Sequence, residues 1–348
     1  MAFLKNLHQL ASLTTDQKED LHSLGVHSLE QLISLHAIPE LRSLLADHLQ
    51  RYGEDLKQLI HEAAANIDAS LHATLTTLVD HPTIHGALQP SSTHFSGMKL
   101  FKRIVHEPSL PVSVNLLDKL PPVYNQGVRN TCCAFVTSEI HDYCTGNTES
   151  FSQEYAYWYA KQLDGKPSMN GTYLKYTTQA VAEYGQCLES QWPYNPEQAP
   201  ASSPPGVDEA AAPYKLQWTA LKPTDVISIK KSLADGNLVG VSIPAYASWV
   251  KSQACWLSGA VTLPLPQEPS IGGHAICLAG YQDDSSYPGG GYFIFRNSWG
   301  NIWGYKCALG AGNGTIPYQY IADLTWECFT NRHDGESGEH YESVNHEE

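Results

Sequence analysis

The stretch Asn125-Gln126-Gly127-Val128-Arg129-Asn130-Thr131-Cys132-Cys133-Ala134-Phe135 leaves its chain few ways to fold. It carries a polar, glycine-containing loop straight into an apolar helix that begins with a thiol. After Thr131, a residue type suited to an N-cap, Cys133, Val136, Ile140 and Cys144 recur at helical spacing, and Gly146 supplies a stop. Cys132 then falls in the first turn, where unpaired backbone N–H groups and the positive end of the helix dipole favour a thiolate. Taken by itself the helix fits a packing cysteine better, since free cysteines are among the most buried residues.

The histidines shift that balance. A nucleophilic thiolate needs a base, and between Pro111 and Thr330 the only histidines are His141 and His274. His141 lies nine residues beyond Cys132 on the same helix, about 13 Å along the axis and half a turn round. That leaves His274. It follows Gly272-Gly273 and opens the apolar run Ala275 to Tyr281, which reads as a strand. A polar turn from Gln282 to Gly290 leads into a second strand, Gly291 to Arg296. A hairpin with Gly280 opposite Gly291 sets His274 opposite Asn297, whose amide would hold the imidazole in orientation.

These pieces together resemble the papain-like cysteine peptidases over residues 111–330. They are the Gln-Gly loop six residues before Cys132, the Cys-x-Ala-Phe that follows, Gly273-His274-Ala275, and Asn297-Ser298-Trp299-Gly300-x-x-Trp303-Gly304. The resemblance implies an α+β fold of two lobes, one helical and one β-barrel-like, with Cys132 and His274 facing across a cleft. It implies a Cys132-His274-Asn297 triad, with Gln126 and the Cys132 N–H as an oxyanion hole. Trp299 would shield the His–Asn hydrogen bond, and Gly171 and Thr172 stand where relatives pair backbone with substrate. Gly273 and Trp299 complete the substrate-facing set. Hydrolysis of a peptide or protein substrate through a thioester is the activity implied, with no metal or organic cofactor. A transpeptidase or peptide-maturation enzyme, or a catalytically silent scaffold, are the alternatives.

Two positions depart from the family pattern. Cys133 stands where secreted members commonly have tryptophan, and adjacent helical residues point about 100° apart, so Cys133 is expected to face the core. Arg129 replaces a disulfide cysteine of secreted members, which argues against an oxidising compartment.

Composition narrows the remainder. The net charge is −15, and no part of the chain is basic, which disfavours nucleic-acid and anionic-membrane binding. No stretch is long and apolar enough to span a bilayer. Met1 to His8 lacks a signal-peptide core, so cytoplasmic residence and reduced thiols are expected. The other six cysteines lack close Cys-x-x-Cys spacing and read as packing.

Residues 1–86 read as a small helical domain. Thr14-Thr15-Asp16-Gln17 and Ser28-Leu29-Glu30-Gln31 fit capping boxes around a turn at Leu24-Gly25-Val26, and the hairpin resembles helix-hairpin-helix modules. Pro39 can open a third helix, and a long fourth runs from Glu54 to His81. Eleven of the sixteen histidines fall in residues 1–110, too irregularly spaced for a metal site. Residues 87–110 read as a linker containing a basic pair, Lys102-Arg103, and 331–348 as an acidic disordered tail. For the N-terminal domain, an interaction or substrate-recruiting role through residues 1–86 is preferred to an autoinhibitory one.

Overall fold

The computed structural model describes residues 4–79, 86–91, 99–100, 109–331 and 342–343. Lys102-Arg103, His81 and most of the expected linker and tail lie outside these residues.

The N-terminal helices Thr15–Ser23 and Leu29–Ala37 both open on complete capping boxes, Thr14 with Gln17 and Ser28 with Gln31. Each box satisfies two otherwise orphaned backbone donors. Between them Gly25 takes φ +78°, which the turn requires and a side chain would resist. Pro39 starts a 3-10 turn, Pro39–Leu41, that leads directly into the helix Arg42–Leu49.

The long helix expected from Glu54 to His81 is instead two, Gly53–Ala65 and Ala69–Leu75. The break has a local cause: the Asp68 carboxylate accepts from Ser70 N and Leu71 N and caps a new helix.

The first lobe of the larger unit holds the helices Cys132–Thr145, Gln153–Leu163 and Leu174–Tyr184. The second is a sheet whose central strands are Val239–Tyr246 and Ser270–Asp283, paired antiparallel along eight registered residues. Gly291–Arg296, Asn313–Pro317 and Glu327–Thr330 extend it, all antiparallel to their neighbours. Val136 and Ile140 of the Cys132 helix press onto Gly240 of this sheet; a Cβ there would lie 2.7 Å from Val136 Cγ1. The glycine lets the helix and sheet backbones approach, and their side chains form one apolar core across both lobes.

Two local expectations differ from the structure. The resemblance to papain-like peptidases also implies a strand over Leu116–Gln126, leading into the Cys132 loop; instead only Ser113–Asn115 pairs, with Ser270–Asp283, and a 3-10 turn follows at Leu117–Lys119. In the tail, Glu342–Ser343 pairs antiparallel with Lys99–Leu100, so this part is not without structure. No helix among the described residues is long and apolar enough to cross a membrane.

The N-terminal helices share an apolar cluster with Ala247, Ala254, Leu257 and Leu265 of the β lobe. Ser34 Oγ accepts from Ala254 N, and Leu263 N donates to Leu24 O. At the same seam the His27 ring sits 4.6 Å from Tyr287 and 5.0 Å from His22, which lies 5.7 Å from His8. Burial first, and the His22 charge second, lower the His27 pKa to about 4, with Asp284 opposing them.

A histidine whose packed pKa lies below its ordinary 6.5 binds protons less readily packed than released. Its packing is therefore most favourable above 6.5 and weakens as pH falls toward 4. Protection factors in Thr15–Ala37, the exchange rates corrected for the intrinsic rate at each pH, should fall across that window, and His27→Gln should flatten the response; wild-type protection factors that do not change with pH would contradict it.

Candidate active site

Cys132 begins its helix, but Thr131 does not cap it by side chain. Its hydroxyl instead meets Tyr194 Oη at 2.7 Å. The Cys132 thiol is fully buried and accepts a hydrogen bond from Ala275 N at 3.3 Å. Ala275 follows His274 on the central strand, so the sheet delivers an N–H and an imidazole to the same sulfur. Burial opposes charge on the Cys132 thiol. The neighbouring Cys133 and His274 side chains, the His274 charge and the Ala275 N–H outweigh it and bring the pKa down to about 5.

His274 Nε2 meets Asn297 Oδ1 at 2.8 Å, and both residues are buried. The carboxamide oxygen can only accept, so Nε2 carries the hydrogen and Nδ1 is left for the thiol. The hairpin register that suggested this pairing is different in detail. Gly280 lies opposite Ile294 and Asp283 opposite Gly291, with a bulge at Ala279. The two residues meet because the second strand ends at Arg296 and Asn297 turns off it, its N–H bonded to Gly312 O.

Three indoles enclose the pair. Trp299 lies 4.6 Å from the His274 ring and Trp249 5.6 Å, while Trp256 stacks on Trp299 at 5.5 Å. Trp299 is buried against His274, a shielding position. Neither Trp249 nor Trp256 carried a sequence signal.

Gln126 is held at both ends of its amide. Ser298 Oγ donates to Oε1 at 2.6 Å, and Nε2 donates to Arg129 O at 2.8 Å. A carbonyl only accepts, so the amide orientation is fixed and one Nε2 hydrogen remains. Ser298 was legible only as part of its motif, not as a partner of Gln126.

His141 is accounted for elsewhere: its Nδ1 meets Gln186 Oε1 at 2.9 Å and its ring stacks on Phe151 at 3.8 Å. Burial, opposed by the Gln186 hydrogen bond, holds its pKa down to about 4. Cys133 is buried in the apolar core, as its helical angle suggested, with backbone carbonyls of the cleft also at its thiol. Its Sγ lies 3.6 Å from Thr172 O and 3.8 Å from Gly86 O, and burial first pushes its thiol well above the ordinary range.

Residues 86–88, expected as the end of a helical domain and the start of a linker, occupy the space between the lobes. Thr172 N donates to Gly86 O at 3.0 Å, Leu88 N to Thr172 O at 2.9 Å, and Ala87 N to Gly273 O at 3.2 Å. Thr172 and Gly273 therefore hold an extended segment from opposite sides, which runs parallel to the chain at Thr172. Gly171, at φ +85°, donates its N–H to Tyr157 Oη and supports this edge from behind. A Cβ at Gly86 would stand 2.4 Å from Cys132 Sγ and 3.2 Å from Cys132 N. The segment covers the thiol.

A helical lobe and a β lobe that meet on a thiol, an imidazole and a carboxamide have the architecture of thiol peptidases. The chain belongs to the papain family of cysteine proteases, whose family model matches residues 110–310. An uncharacterized peptidase C1-like protein of Acanthamoeba polyphaga mimivirus is 26% identical over 214 residues, which are 57% of this chain and 65% of that relative's length. Among solved structures, xylellain, a cysteine protease from Xylella fastidiosa, superposes with a TM-score of 0.60 at 22% identity, covering 73% of this chain and 97% of its own. A digestive procathepsin L2 from Tenebrio molitor larval midgut matches with a TM-score of 0.53 at 19% identity, over 72% of this chain and 78% of that one.

Proposed function

We propose that this protein is a cysteine peptidase that cuts peptide bonds through a Cys132-His274-Asn297 triad and is latent in the form described. The observation that carries the reading is the line of groups Cys132, His274, Asn297, in which each side chain leaves the next the hydrogen-bonding role it needs. The Cys132 thiolate attacks the substrate carbonyl carbon, and the carbonyl π pair moves onto oxygen. The free Nε2 hydrogen of Gln126 and the Cys132 N–H receive that oxyanion. Collapse expels the amine, which takes the His274 Nδ1 proton, and leaves a thioester on Cys132. Water then attacks the thioester as His274 accepts its proton, releasing the acid and regenerating the thiolate. Asn297 keeps the ring oriented throughout, and the indoles keep water from the His–Asn bond.

Latency follows from residues 86–88. The segment takes the backbone partners at Thr172 and Gly273 that an extended substrate would use. Its Gly86 carbonyl is engaged by Thr172 N rather than by Gln126 or the Cys132 N–H, so it is not polarised for attack. The N-terminal helices anchor the segment by packing on the β lobe, and the procathepsin among the structural relatives is likewise a proform by its description.

Intact-mass labelling by a peptidyl epoxide tests the assignment. The full chain should gain one adduct, slowly, and Cys132→Ala none. An unchanged adduct on Cys132→Ala, or hydrolysis that survives the substitution, would overturn it.

A further inference from the structure

We infer that the buried Arg129–Glu154 ion pair is a positioning clamp for Gln126, fixing the oxyanion-binding loop in a chain whose eight cysteines are all free. This rests on the peptidase reading above.

Arg129 sits three residues before Cys132. Its guanidinium forks onto Glu154 at 2.5 and 2.8 Å, with side-chain exposures of 9% and 1%. The two-pronged geometry matches a carboxylate in a way a lysine ammonium cannot. The same Nη1 also donates to Asn195 O at 2.8 Å, and the guanidinium lies over Tyr194 at 4.8 Å and near Tyr157 at 5.7 Å.

Each of these contacts leads to a part of the site. Arg129 O receives the Gln126 Nε2 hydrogen, and Tyr194 Oη donates to Gln126 O at 2.9 Å. Tyr157 Oη accepts from Gly171 N at 3.2 Å, behind the edge that holds the 86–88 segment. Glu154 belongs to the helix Gln153–Leu163, which packs on the Cys132 helix. The ion pair therefore ties the nucleophile loop to the helical lobe from below, while Ser298 ties the Gln126 amide to the β lobe.

Two uncompensated buried charges would be costly here. The pair is placed where its geometry sets the height of one carbonyl, Arg129 O, and through it the aim of one amide. An oxyanion donor that is removed costs about 10²–10³-fold in kcat. A donor that is only misaimed should lose part of that.

The test compares Arg129→Lys, which keeps the charge but not the fork, with the apolar double variant Arg129→Met/Glu154→Leu, which leaves no charge stranded. Both are made in the full chain carrying Gly86→Val to vacate the cleft. Two reagents separate aim from nucleophilicity. Iodoacetamide reports the thiolate and needs no oxyanion hole; a peptidyl aldehyde forms a tetrahedral adduct whose oxygen does. The expected result is aldehyde affinity and kcat lower by roughly 10- to 100-fold, with the iodoacetamide rate, KM and its pH dependence unchanged. A merely structural pair would lower both reagents in proportion to the folded fraction, and that result, or undiminished aldehyde affinity, overturns the inference. If the Arg129-intact protein alkylates but never binds aldehyde or turns over, the peptidase reading itself fails, and this inference with it.

Discussion

Full-length protein carrying Gly86→Val should react with a peptidyl epoxide on the order of 10² times faster than the wild type. Three backbone hydrogen bonds hold the 86–88 segment across the cleft. At a net contribution of about 1 kcal/mol each, they hold it closed by roughly 3 kcal/mol, a factor near 10² in open population. A Cβ at Gly86 would approach Cys132 Sγ to 2.4 Å and Asn130 C to 3.3 Å, distances that neither a buried sulfur nor a loop backbone can relieve. The branched side chain should therefore expel the segment while the N-terminal helices stay packed on their own cluster with Leu257 and Leu265. Stopped-flow or quenched labelling gives the second-order rates. Equal rates for the two proteins would mean that the segment does not control access.

In that opened background, His274→Ala should lower alkylation near neutral pH by about 10²-fold and hydrolysis by considerably more. Two of the influences that bring the Cys132 pKa to about 5 come from His274, against burial, which raises it. Without the imidazole, burial is left facing only Cys133 and one backbone N–H, and the thiol moves to or above its ordinary pKa of about 8.5. At about pH 6.5 the thiolate fraction then drops from nearly all to roughly one in a hundred. Hydrolysis loses in addition the proton donor to the leaving amine, worth about 10²–10⁴-fold. The sign is testable directly. Wild-type alkylation should be flat down to about pH 5 and fall below it, whereas the variant should still be rising at pH 8. A variant profile superposable on the wild type would remove His274 from the reaction.

How much of this could be read from the sequence depends on the range of the interaction. The capping boxes at Thr14 and Ser28 are self-contained within four residues, and the structure reproduces them. The break at Asp68 is just as local, yet the apolar stripe on both sides continued in helical phase and concealed it. The three residues of the proposed triad were found by elimination and motif, but the hairpin register used on the way missed the bulge at Ala279. A bulge shifts every later pairing and leaves no mark in the alternation of apolar residues. Least visible were contacts fixed by the tertiary fold alone. Arg129 and Glu154 lie 25 residues apart, Gly86 and Cys133 47, and no periodicity connects either pair.

The indoles gathered around His274 make the site its own optical reporter. Trp299, Trp249 and Trp256 lie within 6 Å of a neighbour in the group, close enough to exchange excitation, and Trp299 lies against the imidazole itself. Excitation exchanged among the three samples Trp299, whose emission the adjacent imidazole quenches to a degree that depends on its charge. The intrinsic emission of this protein thus carries a signal from its proposed base, with no dye attached and no residue replaced.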